Sequence, residues 1–225
     1  MPTTWQTERQ GVADAARQMA ALGLVTGTSG NVSMRLARGE NGNELMAITP
    51  SGRPYDSLAF DDIVVVDFEV EAVEGELTPS TESLLHVAIY QARPDVGAVI
   101  HTHSVFSSAL AVAGLELPAV IDEVTISMGG PIRVSRYAFP GTQELSDHVC
   151  AALEERKAAL ISNHGAVGVG RDLEEALEVC TLLERVAEIF VHASAIGKVT
   201  LLPSEVTEAE QAIYRMRNTG AGDVS

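Results

Sequence analysis

The chain has 225 residues, a length that one large domain accommodates, and 46% of them are hydrophobic, enough for a sizeable core. The 31 acidic residues outnumber the 15 basic ones and give a formal net charge of -16. This charge disfavours nucleic acid or an anionic membrane surface as a partner. The start of the chain lacks the layout of a signal peptide, and no stretch approaches the ~18 apolar residues of a membrane span. We therefore expect a cytoplasmic protein with a single domain over residues 1–225 and a mobile tail at residues 217–225.

The first part of the chain predicts a helix followed by short strands. Apolar residues from Val12 to Leu22 recur at helical spacing. Thr3 or Thr4 suits the start of this helix, and Gly23 suits its end. Short apolar runs separated by turn residues then predict strands that we expect to be largely antiparallel. These runs are residues 32–36, 46–49 and 63–66.

The rest of the chain alternates helices and strands, which predicts one mixed sheet with helices on both faces. A strand over residues 96–100 leads to His101, and a strand over residues 159–162 leads to His164. Cys150 and Cys180 each lie in a predicted helix, so we expect free thiols and no disulfide framework. The predicted helices are residues 82–92, 107–113, 143–157, 173–196 and 208–216.

Histidines are placed in two short polar motifs, each of which ends an apolar run. His101 and His103 are separated by one residue, and His164 follows the second run. Because strand side chains alternate between faces, His101 and His103 project to the same side and can share an ion with a third ligand. An isolated histidine is more often an ordinary hydrogen-bonded residue, but neither solvation nor core packing requires this pattern. The sequence therefore predicts a metal site.

A carboxylate and two glycine-containing segments complete the candidate site. Glu82 lies where a helix should begin after Pro79-Ser80-Thr81, so it either ligates an ion, acts as a base, or only favours the helix dipole. Residues 27–31 and 50–52 contain glycines that allow backbone N–H groups to turn toward an anion. Each segment is also compatible with a plain turn.

Taken together, these motifs resemble the class II aldolase/adducin family, in particular its metal-dependent sugar-phosphate aldolases of the fuculose-phosphate type. The resemblance covers roughly residues 11–195. The motifs that carry it occur in one order, at residues 23–33, 48–52, 79–82, 98–103 and 163–165.

The resemblance implies an α/β fold, a three-layer α/β/α sandwich with a mixed, mostly antiparallel central sheet. It implies one divalent metal per subunit, usually Zn²⁺ with Mn²⁺, Co²⁺ and Fe²⁺ as alternatives, and a homotetramer with active sites between subunits. Carried onto this sequence, it makes the metal ligands His101, His103, His164 and Glu82, with Glu82 also the catalytic acid/base. It places the phosphate and substrate pocket at Gly30, Asn31, Ser51, Gly52, Ser80 and Thr81.

The implied reaction is cleavage of a ketose 1-phosphate into dihydroxyacetone phosphate and an aldehyde. A divalent ion that touches the C2 and C3 oxygens stabilises the negative charge developing on the carbonyl oxygen, so no Schiff-base lysine is needed. Glu82, displaced by substrate, then moves a proton at C3. Three histidines and an exchangeable carboxylate are typical of a catalytic zinc site.

The chain departs from the family at the proton donor. Fuculose-type enzymes carry a tyrosine shortly after a Pro-Ala pair and use it from the neighbouring subunit, whereas Asp122 and Glu123 follow the Pro-Ala pair here. The tail tyrosine of the family is also missing, although Tyr214 is nearby. Asp122, Glu123 and Tyr214 are the candidate replacements, and the exact sugar and aldehyde stay open.

Alternative functions keep the fold and change the chemistry. A 4-epimerase of the family tends to carry Asp at the Glu82 position and Lys at the Thr49 position, so this chain is less similar to it. A decarboxylase of the family needs the same stabilisation of a developing negative charge by a metal ion, so this function remains an alternative. A non-catalytic interaction module of the adducin type lacks the metal histidines, which are present here.

Overall fold

The computed structural model describes residues 5–39 and 42–219. The proposed helix caps Thr3 and Thr4 lie outside these residues. The helices are α1 (Gln6–Ala21), α2 (Ser83–Ala92), α3 (Val105–Ala113), α4 (Asp122–Met128), α5 (Gln143–Leu153), α6 (Leu173–Ile196) and α7 (Ser204–Thr219). The strands are β1 (Asn31–Leu36), β2 (Leu45–Ile48), β3 (Val64–Asp67), β4 (Ala72–Glu74), β5 (Ala98–Thr102), β6 (Ala158–Ile161) and β7 (Gly165–Gly170).

The strands form one seven-stranded sheet in the order β4-β3-β2-β1-β5-β7-β6. Every pair of neighbouring strands is antiparallel. The predicted α/β fold with a mostly antiparallel sheet is therefore confirmed. Among the described residues, parallel pairing is limited to an isolated bridge between Val134 and Leu160, because each connection returns the chain in the opposite direction. Strand β5, which carries His101, lies in the interior of the sheet between β1 and β7.

Helices cover both faces of the sheet, as the alternation of the strand side chains requires. On one face, Ile100 of β5 packs in a cluster with residues of α1 and with Cys180 of α6. On the other face, Val99 of β5 packs in a cluster with Ile89 of α2 and Val149 of α5. Within the part of the chain that the structure describes, no helix is long and apolar enough to cross a membrane.

The C-terminal helix is longer than predicted and includes residues 217–219 of the tail that was expected to be mobile. Helix α7 runs to residue 219, and the Asn218 side chain donates to the Tyr214 carbonyl at 2.8 Å, which satisfies a carbonyl near the helix end. Residues 220–225 of the predicted tail lie outside the described residues. Helix α5 ends at Leu153, earlier than predicted, because Glu154 adopts a positive φ of 46°.

Strand β7 was not expected, since half of its residues are glycines, which weaken strands. Packing against α6 explains two of these three glycines, Gly168 and Gly170. A Cβ added at Gly168 would lie 2.5 Å from the Cys180 Sγ and 3.3 Å from a Val179 methyl carbon. The glycine therefore allows the longest helix to lie directly on the sheet.

This close packing predicts that Gly168→Ala lowers the free energy of unfolding by about 1–3 kcal/mol through overpacking. Adding Cys180→Ala should recover part of the loss, because it removes the sulfur nearest to the new methyl group. Urea unfolding of the two single variants and the double variant measures this coupling. Additive losses would show that the two positions do not compete for the same space.

Candidate metal centre

The structure brings the three predicted histidines and Glu82 together. One ligand atom from each of these residues lies within 4.8 Å of the others. The Nε2 atoms of His101 and His103 are 2.9 Å apart, and the His101 Nε2 is 3.2 Å from Glu82 Oε2. The His164 Nε2 is 3.5 Å from Glu82 Oε1. Residues that are widely separated in sequence therefore present nitrogen and oxygen atoms to one point.

Backbone packing sets the position of these ligands. His101 lies in β5, and His164 lies in the tight turn between β6 and β7. In this turn Asn163 has a positive φ of 55°, a conformation that asparagine tolerates. A Cβ at Gly165 would lie 2.2 Å from the carbonyl oxygen of Thr102. Glycine at this position thus allows the turn that carries His164 to lie directly against β5.

Glu82 immediately precedes α2, which begins at Ser83, one position later than predicted. Its backbone N–H donates to the Ser80 hydroxyl at 3.3 Å, and the Ser83 hydroxyl donates to the Ser80 carbonyl at 2.7 Å. Its own side chain makes no capping hydrogen bond to the helix. Glu82 is a buried residue, 7% exposed, and its carboxylate is directed toward the histidines. Stabilising the helix dipole is therefore not its only role.

The electrostatics of the cluster keep the ligands ready to bind a cation. Burial by itself raises the pKa of Glu82, but His101, His164 and other neighbouring donors outweigh burial and hold the pKa below its ordinary value. Burial lowers the pKa of His103 to about 4, with a further contribution from the neighbouring histidines. Burial also lowers the pKa of His164. At neutral pH the carboxylate is ionised and the His103 and His164 rings are neutral, as metal ligation requires.

The donor set fits a divalent metal ion. The His101 Nδ1 donates to the Ala166 carbonyl at 2.9 Å, which leaves the lone pair of Nε2 facing the cluster. The three imidazole rings are 4.8 Å apart between centroids, and their planes cross at 70–83°. Glu82 Oε1 is buried and has no hydrogen-bond partner among the described residues. A cation between these atoms would satisfy that oxygen and the facing nitrogen lone pairs, and three histidines with a carboxylate are typical zinc ligands.

A buried histidine that was not predicted from the sequence, His86, is 0% exposed and lies on α2, four residues after Glu82. Its Nε2 is 2.5 Å from the Asn31 Oδ1, and its Nδ1 is 2.6 Å from the Ser33 hydroxyl. The Asn31 amide nitrogen donates to Glu82 Oε2 at 2.9 Å. Burial lowers the pKa of His86 to about 3. The spacing of four residues between Glu82 and His86 is the sequence signal that places both on one face of the helix.

A cavity of about 210 Å³ opens beside the cluster. It is lined by neutral residues with hydroxyl groups or turn backbones, together with Glu82 and two of the histidines, whereas His101 lies deeper. All residues predicted for the phosphate pocket border this cavity: Gly30, Asn31, Ser51, Gly52, Ser80 and Thr81. None of the described residues that line it is a lysine or an arginine. The side-chain amide of Asn31 forms hydrogen bonds with Glu82 and His86 and is therefore not free to bind a ligand in the cavity.

The candidate replacements for the missing tyrosine do not border this cavity in the described part of a single chain. Asp122 and Glu123 lie in the first turn of α4. The Tyr214 ring is 5% exposed, and its hydroxyl donates to the Glu155 carbonyl at 2.7 Å. A proton donor from these positions would have to come from another copy of the chain.

Comparison with known proteins identifies several relatives. Residues 10–191 match the family model described as Class II Aldolase and Adducin N-terminal domain. The chain is 40% identical to a 5-methylthioribulose-1-phosphate/5-deoxyribulose-1-phosphate aldolase of Rhodospirillum rubrum, over 98% of this chain and 96% of that protein. It is 39% identical to the L-fuculose phosphate aldolase of Escherichia coli K12, over 82% and 83% of the two chains. A solved L-fuculose 1-phosphate aldolase superposes with a TM-score of 0.86 at 32% identity, over 96% of this chain and 98% of that chain.

The contact between Gly30 and β5 predicts a strong effect of a single methyl group. Gly30 has a φ of +75°, and a Cβ there would lie 2.5 Å from the His101 carbonyl oxygen. Gly30→Ala should therefore destabilise the protein by about 2–5 kcal/mol through backbone strain and overpacking, and should weaken Zn²⁺ binding.

Gly27→Ala is the matched control, because Gly27 has a φ of +66° but no atom lies within 4 Å of the position that its new methyl group would take. Gly27→Ala should lower the free energy of unfolding by only about 1–2 kcal/mol. Chemical unfolding and calorimetric Zn²⁺ titration measure both effects. Equal losses in the two variants would contradict a specific role for the approach of Gly30 to His101.

The buried His86 predicts a dependence of stability on pH in the metal-free protein. Its pKa of about 3 in the folded state lies below the ordinary value of 6.5, so between these values the unfolded chain binds a proton that the folded chain excludes. The stabilisation of the folded state that comes from a neutral His86 is present above pH 6.5 and is lost as the pH falls toward the folded-state pKa. From pH 6.5 to pH 5 the loss is about 2 kcal/mol.

His86→Gln removes this titrating group and is the control. Urea unfolding at several pH values should give a shallower decline for the variant than for the wild type. The comparison between the two proteins isolates His86 from the general effect of the net charge of -16. Parallel pH profiles would contradict the predicted neutral, buried state of His86.

Proposed function

This chain belongs to the class II aldolase and adducin family, and we propose that it cleaves a ketose 1-phosphate into dihydroxyacetone phosphate and an aldehyde. One observation carries this proposal. A single cavity is bordered by Glu82, His103 and His164 of the cluster and by a group of neutral residues with hydroxyl groups or turn backbones. A ligand that fills the cavity can place a phosphate at the neutral end while its carbonyl carbon lies beside the cluster.

We propose that one Zn²⁺ per subunit is held by His101, His103 and His164, with Glu82 as the fourth ligand when no substrate is bound. When bound, such an ion supplies a Lewis acid for the negative charge that develops on the substrate carbonyl oxygen. The protein orients the ligands through the hydrogen bond from His101 to the Ala166 carbonyl. Burial of His101 and Glu82 excludes bulk water from this side of the site.

Glu82 is the proposed acid/base. Its lowered pKa keeps the carboxylate ionised at neutral pH, so it can accept the proton that the C4 hydroxyl loses as the bond between C3 and C4 breaks, and can then donate that proton to C3 of the enediolate. Asn31 holds one carboxylate oxygen by a hydrogen bond of 2.9 Å, while Oε1 has no partner among the described residues. The carboxylate is therefore held by one oxygen, and the other oxygen is available to the ligand.

The phosphate is proposed to bind at the turns that precede α2 and β1. The hydroxyls of Ser51, Ser80 and Thr81 border the cavity, and Gly30 and Gly52 provide turns whose backbone N–H groups can face an anion. Neutral donors at a helix N-terminus can hold a phosphate without lysine or arginine. This arrangement is consistent with a chain whose net charge is -16.

The proposed substrates are the sugar phosphates for which the relatives are named. The relative that aligns with nearly the whole chain is named for 5-methylthioribulose 1-phosphate and 5-deoxyribulose 1-phosphate, and another is named for L-fuculose phosphate. The absence of the fuculose-type tyrosine supports testing the shorter ketoses first. We also propose a homotetramer with active sites between subunits, because exposed Tyr137 and Phe139 adjoin Pro140, which borders the cavity.

A panel of ketose 1-phosphates tests the reaction. The wild-type protein loaded with Zn²⁺ should release dihydroxyacetone phosphate from at least one of these three sugars, measured with a coupled assay. Glu82→Gln should lower kcat by about 10²–10⁴-fold, because the isosteric amide cannot accept the proton.

The matched control is Glu188→Gln, which changes an exposed carboxylate on α6 and should leave kcat unchanged. Release of carbon dioxide from a phosphorylated sugar acid, with no cleavage of any ketose phosphate, would favour the decarboxylase instead. Cleavage that is unaffected by Glu82→Gln would contradict the role proposed for this carboxylate.

A further inference from the structure

We propose that His86 is a positioning residue of this site, which fixes the orientation of the Asn31 amide and thereby the position of the Glu82 carboxylate. His86 neither borders the cavity nor belongs to the metal-binding cluster. It acts on the reaction only through Asn31. The inference rests on the proposed role of Glu82 as the group that moves a proton.

The orientation of Asn31 follows from the chemistry of its partners. An ionised carboxylate can only accept hydrogen bonds, so the group 2.9 Å from Glu82 Oε2 is the Asn31 amide nitrogen. The Asn31 carbonyl oxygen therefore faces His86. This oxygen lies 2.5 Å from the His86 Nε2. Because an amide oxygen can only accept, Nε2 must carry the proton.

The second nitrogen of His86 is fixed by the same argument. In a neutral ring with a proton on Nε2, Nδ1 is an acceptor. The Ser33 hydroxyl lies 2.6 Å from Nδ1 and donates to it. The Tyr90 hydroxyl lies 2.8 Å from the Ser33 oxygen, whose own proton is already used, so Tyr90 donates to Ser33. The bonds thus run in one direction from Tyr90 through Ser33, His86 and Asn31 to Glu82.

Burial makes this order of donors and acceptors hard to change. Ser33 and His86 are 0% exposed, Tyr90 is 1% exposed and Asn31 is 3% exposed. No bulk water is available to replace a lost partner, so a reversed amide would leave buried groups unsatisfied. Tyr90 is fixed in turn by stacking on Phe68, at 5.9 Å between ring centroids. We call this series of hydrogen bonds from Tyr90 to Glu82 the relay. Because its members are buried and packed, the relay holds the Glu82 carboxylate in one position.

Without the N–H of His86, only the Glu82 carboxylate favours the observed orientation of the Asn31 amide, and the buried Asn31 oxygen loses its donor. If the amide turned over, its oxygen would face the carboxylate oxygen of Glu82, and the two would repel. Glu82 would then lose the donor that holds Oε2, while the three histidines would keep their positions. The expected consequence is a loss mainly in the chemical step, with a smaller effect on metal binding because the three histidine ligands remain.

The test compares His86→Leu, which cannot donate, with His86→Gln, whose amide can donate to Asn31 again. Val149→Ala is the matched control, because Val149 is buried in the same cluster as the α2 residue Ile89 but takes no part in the relay. For each protein, kcat and KM are measured with the ketose 1-phosphate that the wild type cleaves. Zn²⁺ affinity is measured by calorimetry, and stability is measured by unfolding in urea. Nitrogen NMR of the metal-free wild type reports which His86 nitrogen is protonated.

We expect His86→Leu to lower kcat by about 10–100-fold, with KM nearly unchanged and a smaller loss of Zn²⁺ affinity. His86→Gln should recover much of kcat, and Val149→Ala should lose stability but keep kcat. The NMR spectrum should show a protonated Nε2 and an unprotonated Nδ1. A protonated Nδ1, or a wild-type kcat in His86→Leu, would overturn the proposal.

The NMR measurement needs neither substrate nor a folded His86→Leu variant, so it tests the relay by itself. If the wild-type protein cleaves no ketose phosphate, the proposed function fails, and the NMR result still supports or overturns the relay. If the wild type is active but all three variants lose kcat in proportion to their stability, His86 is only a core residue and the inference is wrong.

Discussion

The structure depends on one electrostatic constraint, which is the burial of the ionised Glu82 carboxylate among three histidines. Removing a carboxylate from water costs several kcal/mol unless partners compensate for the lost hydration. Asn31 supplies one hydrogen bond, but Oε1 has no hydrogen-bond partner among the described residues and lies 3.5 Å from the His164 Nε2. Positive charge at the point that the histidine nitrogens face would stabilise this oxygen further. A divalent ion supplies that charge and also the chemistry of the proposed reaction.

The fold satisfies this constraint by placing the ligands on its most constrained elements. His101 lies on an interior strand, and the backbone around it allows no side chain at two neighbouring positions. Gly30 approaches the His101 carbonyl, and Gly165 approaches the Thr102 carbonyl, each closer than a Cβ permits. The same contact at Gly30 joins the proposed phosphate-binding turn to the strand that carries His101, a proposed metal ligand. Substrate position and ligand geometry are therefore set by one rigid unit.

The sequence predicted the parts of the site whose residue types are chemically unusual. Histidines in two motifs and a carboxylate at a helix start indicated the cluster, and glycine turns indicated the cavity beside it. His86 was not predicted, because a histidine at helical spacing among apolar residues also fits an ordinary core position. Strand β7 was missed because its glycines are explained only by close approaches to α6 and to β5. These features depend on contacts between distant segments, which local pattern and propensity do not encode.

The most direct test of this account is the location of the metal ion. Crystals of the protein loaded with Zn²⁺ would be measured at the zinc absorption edge to obtain an anomalous difference map. We expect one peak per chain between His101, His103, His164 and Glu82, about 2.0–2.1 Å from the three Nε2 atoms. The absence of a peak at this position, or a peak held by other residues, would contradict the central claim that these four side chains form the metal site of the enzyme.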